Sequence, residues 1–269
     1  MTNEYLQLVR HHQARKRFGQ NFLIDYPLII QLFQSIRAEP NDHLIEIGPG
    51  LGALTRPLLT VLNELTVIEL DRNLIPILSE LDQLNIIHQD VLTVDFRTLK
   101  TDERKLRIVG NLPYNISTPI IFHLLAVADV IQDMHFMLQK EVIDRMAATP
   151  DDSEYGRLSV MVQRYCQVIP LLTIPPTAFN PAPKVMSQFV RLVPYEKDPY
   201  GIESDECFYD VVKCAFTMKR KTLRNTLKPL FTQEEIEACG IDASLRAEKL
   251  SVADFATLSN HLFHKQSQS

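Results

Sequence analysis

The sequence predicts an α/β protein: a mostly parallel sheet of about seven strands flanked by helices, followed by a small all-α C-terminal domain. Three observations carry this. Short apolar runs of strand length alternate with helical patterns as far as about residue 193, the arrangement that βαβ units produce. The first four of these runs end, in order, at Gly48 and Gly50, Glu69, Asp90 and Asn111, and open α/β sheets bind ligands at the carboxyl ends of their strands. Beyond residues 194–201, where two prolines, a glycine and mixed charges mark a boundary, only helical patterns remain. The expected domains are therefore 1–197 and 198–269.

Bulk properties set the limits. The 269 residues suffice for one large α/β domain with a small appendage, and 45% hydrophobic and 23% charged residues are ordinary for a soluble globular chain. No apolar run reaches membrane-spanning length and no apolar signal segment opens the chain, so a cytoplasmic address and no membrane partner are expected. Cys166, Cys207, Cys214 and Cys239 show no Cys-x-x-Cys spacing, so neither zinc nor a disulfide framework is expected. A net charge of −5 argues against a uniformly cationic surface, yet cations cluster locally. Lys213, Lys219, Arg220, Lys221, Arg224 and Lys228 share a stretch with no acid between Asp210 and Glu234, and Arg10, His11, His12, Arg15, Lys16 and Arg17 crowd the N-terminus. Such patches suit phosphate, although a lysine-rich helix face is ordinarily only solvated.

Taken in order, residues 1–17 read as a basic, mobile arm that ends at Arg17-Phe18-Gly19-Gln20-Asn21-Phe22-Leu23. A turn at Gly19 sets the backbone of Asn21 and Leu23 against a ligand; a simple loop into a helix is the default. Leu28, Leu32 and Ile36 predict a helix over 27–36. Residues 43–47 read as a buried strand, and Gly48-Pro49-Gly50-Leu51-Gly52 after it lets a ligand approach the backbone. Pro57 must then lie in the first turn of the next helix or kink it. Glu69 near the end of the strand 65–70 stands roughly twenty residues beyond the glycines, where an acid meets ribose hydroxyls; capping the next helix with Asp71 is the alternative. A helix over 73–81, despite Pro76, leads to a third strand that ends at Asp90, placed either for a cofactor's adenine amine or for an ordinary turn.

The fourth strand ends in Asn111-Leu-Pro-Tyr114. The Asn111 oxygen accepts hydrogen bonds, Pro113 fixes its own backbone and biases Leu112 toward an extended shape, and Tyr114 offers a flat face. That set suits a planar base with an exocyclic amine. The adenine amine is a poor nucleophile because its lone pair is conjugated into the ring. Two acceptors, the Asn111 side chain and the Leu112 carbonyl, hold its hydrogens and favour a pyramidal nitrogen, while Tyr114 stacks on the base. An isolated Asn-x-Pro-Tyr is more often just a turn; the ordered series of strand ends makes this one specific.

Ser117 is a suitable N-cap for a helix with Pro119 in its first turn. A strand at 134–138, helices at 141–147 and 155–163, and apolar segments at 168–174 and 188–193 complete the sheet, the last two close enough in sequence to be antiparallel. Phe179, in the proline-rich loop 175–184, either closes a base pocket or packs under the loop. The C-terminal domain begins with a helix over 205–218 and a basic helix over 219–227. Lys221, Arg224 and Lys228 share one side of that basic helix by spacing. Capping boxes at Thr232-x-x-Glu235 and Ser251-x-x-Asp254 open the last two helices.

The segments Lys16-Arg-Phe-Gly-Gln-Asn-Phe-Leu23, Glu46-Ile-Gly-Pro-Gly-Leu51, Glu69-Leu-Asp71, Gly110-Asn-Leu-Pro-Tyr-Asn115, Pro181-x-Pro-Lys-Val185 and Arg246-Ala-Glu248 span nearly the whole chain. Together the sequence resembles the ribosomal RNA adenine N6,N6-dimethyltransferases, most closely the branch acting on the small subunit (16S rRNA). The resemblance implies a Rossmann-like methyltransferase domain that binds S-adenosylmethionine through Asn21, Leu23, Gly48, Gly50, Glu69, Asp90 and Asn111. It implies methyl transfer to N6, twice on each of two adjacent adenosines near the 3′ end of that RNA, in connection with subunit maturation. Asn111 and Leu112 would position the amine at the elbow made by Pro113, Tyr114 and Phe179 would sandwich the base, and no metal is required. A monomer acting on the small ribosomal subunit is expected, with Arg15, Lys16, Arg17, Lys219, Arg220, Lys221 and Arg224 as RNA contacts. Met186 departs from the family's frequent acidic residue, which touches only a loop contact.

Three other functions share some of these features. Gly48-x-Gly50-x-x-Ala53 with Glu69 also fits a relaxed dinucleotide fingerprint, but Pro49 lacks the N–H that pyrophosphate binding draws on, and the fingerprint leaves 111–114 unexplained. A non-enzymatic RNA-binding assembly protein has no need of an intact Asn111-Leu-Pro-Tyr114. A large-subunit rRNA adenine methylase is the nearest rival; by resemblance, Arg246-Ala-Glu248 and the basic stretch before it favour the small-subunit branch.

Overall fold

The computed structural model describes residues 2–12, 14–15, 18–218 and 220–268. The described residues form two compact units, residues 1–143 with 169–194, and residues 144–168 with 195–269. The second unit begins at Tyr195 and also takes in 144–168, because helix Arg157–Gln163 packs on helix Asp205–Ala215 and the Tyr155 hydroxyl donates to the Leu250 carbonyl at 2.7 Å.

In chain order the main sheet contains β1 (His43–Ile47), β2 (Leu65–Glu69), β3 (Leu84–His88), β4 (Leu106–Asn111), β5 (Ile131–Gln139), β6 (Cys166–Ile174) and β7 (Ser187–Pro194). Their spatial order is β3-β2-β1-β4-β5-β7-β6. Pairing is parallel from β3 across to β5, and β7 runs antiparallel to β5 with Met134 opposite Leu192. The central strands are covered on both faces, so β1 and β4 read as nearly unbroken apolar runs and are buried almost throughout, whereas the edge strand β6 is largely exposed along its middle. Strand order reverses between β1 and β4. The crevice outside their carboxyl ends is where such sheets take ligands. Gly110 lets β4 close on β1 there, since a Cβ at that position would lie 2.6 Å from the Ile47 carbonyl oxygen.

The opposite ends of these strands are clamped by charge. Arg107 on β4 donates to Asp133 on β5 at 2.8 and 3.0 Å, to Asp42 at 2.6 Å, and to the Ile36 carbonyl at 2.7 Å. Both Arg107 and Asp133 are buried, so each satisfies a partner that would otherwise be a costly lone charge.

Several helices depart from the expected bounds. The arm at 1–17 is not simply an arm: Thr2–His11 is a helix that buries Tyr5 and Val9, four residues apart on one face. The Tyr5 hydroxyl donates to the Leu23 carbonyl at 2.7 Å. Helix Tyr26–Ile36 matches its pattern and is capped by Asp25. Pro57 and Pro76 sit in helices of only four residues, Thr55–Leu58 and Ile75–Leu78, so the helix expected over 73–81 is cut short. Ser117 is the first residue of helix Ser117–Leu125 and not its cap; its hydroxyl donates to the Tyr114 carbonyl at 3.1 Å and so braces the elbow.

In the second unit, Thr232 and Ser251 make the expected capping boxes for helices Gln233–Ala238 and Val252–Ser267. The basic run is not one helix. Among its described residues only Leu223–Thr226 is helical, because the amides of Leu223 and Arg224 donate to the carbonyls of Leu245 and Ala243 instead of extending the run backward. Leu223 and Leu227 are buried, while Arg220, Lys221, Arg224 and Lys228 are exposed without forming a helical stripe.

Candidate active site

A cavity of about 610 Å³ opens at the carboxyl ends of β1, β2 and β4, in the first unit. Asn21, Leu23, Gly48, Gly50, Glu69, Asp90 and Asn111 all line it, together with Leu112, Pro113 and Tyr114. Each arrives by a different route. Gly48 continues the β1 ladder by donating to the Ile68 carbonyl at 2.9 Å, and its φ of +65° turns the chain away from the sheet. Asp90 caps the short turn at Val91–Thr93, with one carboxylate oxygen accepting the Leu92 amide at 3.0 Å. The turn and ligand readings of Asp90 are therefore compatible, since its second oxygen remains.

Two buried carboxylates define the electrostatics. Glu69 is 7% exposed, and one of its oxygens accepts the Asp71 amide at 2.7 Å. Burial raises its pKa, an effect that the amides of Asp71, Gly50 and Leu70 oppose. Glu46 is 2% exposed and also lines the cavity, its carboxylate accepting the Thr55 hydroxyl at 2.6 Å. Burial carries its pKa from 4.5 to about 7, with the Thr55 hydrogen bond working against the rise and the charge of Glu69 adding to it. Sequence reasoning did not assign Glu46 a role, for within an apolar strand pattern it signalled nothing but a polar interruption.

At the elbow, the Asn111 side-chain amide donates to the Asn21 carbonyl at 3.1 Å. A carbonyl can only accept, so this bond fixes which way the amide is turned and leaves Oδ1 as an unspent acceptor. The Leu112 amide donates to the Met137 carbonyl on β5 at 3.2 Å, and Leu112 is the first residue beyond β4. Tyr114 is tethered at its far end, hydroxyl to hydroxyl with Ser187 at 2.5 Å. Phe179 is placed elsewhere. It is 3% exposed, paired with Leu23 through the two-residue ladder of Phe22–Leu23 and Phe179–Asn180, and does not line the cavity. Only the Tyr114 half of the expected aromatic sandwich is brought to it.

The chain matches the family described as ribosomal RNA adenine dimethylase over residues 11–264. It is 53% identical over 269 residues to a ribosomal RNA small subunit methyltransferase A of Pseudomonas syringae, covering 98% of each chain. The chain belongs to the ribosomal RNA adenine dimethylases. A protein with the same small-subunit name from Psychromonas ingrahamii is 51% identical, with 94% of this chain and 95% of the other covered. Among solved structures, a dimethyladenosine transferase from Plasmodium falciparum shares the fold at a TM-score of 0.80 and 24% identity, covering 91% of this chain and 98% of that one. The 23S rRNA methyltransferase ErmE follows at 0.69 and 24%, covering 90% and 100%. The protein is thus a methyltransferase of Rossmann-like fold, and the oxidoreductase and non-enzymatic assembly-protein readings fall away.

For this dimethylase the basic residues divide. Lys16, Arg17 and Lys219 lie outside the described residues. Arg220, Lys221 and Arg224 are exposed in the second unit. Arg15 is instead engaged in the first unit, where its guanidinium pairs with Asp71 at 3.1 Å. Among the described residues no group of three or more His, Cys, Asp or Glu is gathered as a metal would need, and no helix is long and apolar enough to cross a membrane.

Proposed function

We propose that this chain binds S-adenosylmethionine in the 610 Å³ cavity and dimethylates N6 of two adjacent adenosines near the 3′ end of small-subunit ribosomal RNA. The observation that carries the reading is the Asn111 to Asn21 hydrogen bond, which commits the side-chain N–H and presents the oxygen as acceptor. The residues fit the cofactor by donor chemistry. Glu69 offers a carboxylate to ribose hydroxyls, Asp90 an acceptor to an adenine amine, Gly48 and Gly50 close backbone approach, and the buried Glu46 a counter-charge for an ammonium. When bound, the cofactor presents a methyl on a sulfonium, which departs as a neutral thioether.

The chain's own contribution is positioning. Asn111 Oδ1 and the Leu112 carbonyl accept the two amine hydrogens, drawing the nitrogen toward a pyramidal shape with its lone pair free. Tyr114, held by Ser187, gives the base a face. Each transfer moves the positive charge from sulfur to nitrogen, which then sheds one proton to solvent; after one methyl has been added a single N–H therefore remains, and either acceptor can still orient it. The small-subunit names of the relatives support that substrate over the large subunit. Labelled S-adenosylmethionine offered with unmodified small subunits, large subunits, naked ribosomal RNA and DNA tests the reading: label is expected in small-subunit RNA, and label confined to large subunits or DNA would overturn it.

A further inference from the structure

Asp71 is a fully buried carboxylate with three donors, and two come from the segment before Asn21. Arg15 Nη1 donates to Oδ1 at 3.1 Å, Gln20 Nε2 to Oδ2 at 2.9 Å, and the Asn73 amide to Oδ1 at 3.1 Å. The Arg15 backbone amide in turn donates to Gln20 Oε1 at 2.8 Å, closing a ring of contacts. Two residues back, Glu69 accepts the Asp71 amide, and Glu69 lines the cavity. At the other end of the same segment, Asn21 receives the Asn111 amide. Phe18, Gly19, Gln20 and Asn21 between these anchors all line the cavity. Gly19, at φ +61°, makes the turn close against Pro113.

We infer that Arg15 is a positioning residue for the cofactor cavity and not an RNA contact: Arg15 and Gln20 together latch the cavity-lining residues 18–21 onto Asp71, holding Asn21 and Glu69 in place. This rests on the cavity being the S-adenosylmethionine site. Burying a carboxylate without exposure is costly unless a cation or several donors meet it, and among the described residues Arg15 is the cation paired with this one. Without it, Asp71 keeps two neutral donors but loses its paired cation beside Glu69, whose own charged form Asp71 already disfavours. The two roles for Arg15 separate cleanly. A phosphate contact acts on RNA affinity and its salt dependence; a latch acts on cofactor affinity.

The test is Arg15→Gln, Arg15→Lys and Gln20→Ala in the full chain. S-adenosylmethionine binding is measured by calorimetry, small-subunit binding over a salt series, and KM for cofactor against kcat by methyl transfer. Arg15→Gln is expected to raise the cofactor Kd and KM about tenfold with a much smaller change in kcat, Arg15→Lys to recover part of the loss, and Gln20→Ala to weaken cofactor binding in the same sense. The salt slope stays as in wild type. A cofactor Kd within about twofold of wild type for both Arg15→Gln and Gln20→Ala overturns the latch, as does a salt slope flattened by roughly 0.7–0.9, the signature of one phosphate left unneutralised. Wild-type protein that binds no S-adenosylmethionine would instead refute the assignment of the cavity, and the latch with it.

Discussion

The side-chain amide of Asn111 donates to the Asn21 carbonyl at 3.1 Å, joining the end of β4 to the segment that crosses the cavity. The bond makes a substitution at Asn111 informative in two directions. Asn111→Ala removes the acceptor and is expected to lower kcat at saturating cofactor by about a hundredfold, with little change in RNA affinity, since amine positioning matters most at the transition state. Asn111→Asp keeps an acceptor but loses the donor and sets a carboxylate against the Asn21 carbonyl, so it is expected to fail as well. A saturated rate near wild type in Asn111→Ala would remove the residue from amine positioning.

Glu69 faces the cavity with one oxygen held by the Asp71 amide. Glu69→Ala is expected to weaken S-adenosylmethionine binding by roughly 1.5–3 kcal/mol, the scale of charge-assisted hydrogen bonds to hydroxyls. Calorimetric titration reads this directly. Unchanged affinity in a folded variant takes Glu69 out of the site.

Glu46 yields a pH signature. Its folded-state pKa is raised to about 7, so the folded chain holds this proton more tightly than the unfolded chain does. The sign follows: stability linked to Glu46 is fully present below the ordinary carboxylate range and is lost as pH rises through about 7. A cofactor ammonium beside the carboxylate favours its charged form, so binding at about pH 6.5 is expected to release a fraction of a proton. Calorimetry in two buffers of different ionisation enthalpy measures that release, which should vanish in Glu46→Gln. Equal heats in both buffers for wild type would mean that Glu46 does not meet a cation.

The strand ends were legible because each joins an apolar run to a residue of distinct chemistry, and all seven expected cofactor contacts line one cavity. The helices were less so. Pro57 and Pro76 interrupt apolar patterns that look longer than the four-residue turns they form, and the mostly polar run at 2–11 hides that Tyr5 and Val9 face the core. The pairing of Arg15 with Asp71 links positions 56 apart, for which local spacing carries no signal. Basic character alone pointed Arg15 toward RNA. Phe179 shows the converse: an aromatic in a proline-rich loop had two readings, and nothing local in the sequence signals its ladder pairing with Leu23 or its burial.

The exposed cations of the second unit remain the proposed RNA contacts, without the helical stripe that spacing suggested. Replacing Arg220, Lys221 and Arg224 by Gln is expected to weaken small-subunit binding most at low salt. The plot of log affinity against log salt should flatten by roughly 0.7–0.9 for each phosphate that these cations no longer neutralise. Cofactor affinity should not change, because the cavity residues all belong to the first unit. An unchanged slope would make these residues a solvated surface.

What the elbow does to an adenine amine is reported most directly by the product. Unmodified small subunits are incubated with S-adenosylmethionine and either wild-type protein or Asn111→Ala at saturating cofactor, the RNA is digested to nucleosides, and the methylated species are identified by mass and chromatography. Wild type is predicted to yield N6,N6-dimethyladenosine at two adjacent positions, and Asn111→Ala almost none. Methylation on a ring nitrogen or a ribose, or full dimethylation by Asn111→Ala, would contradict it.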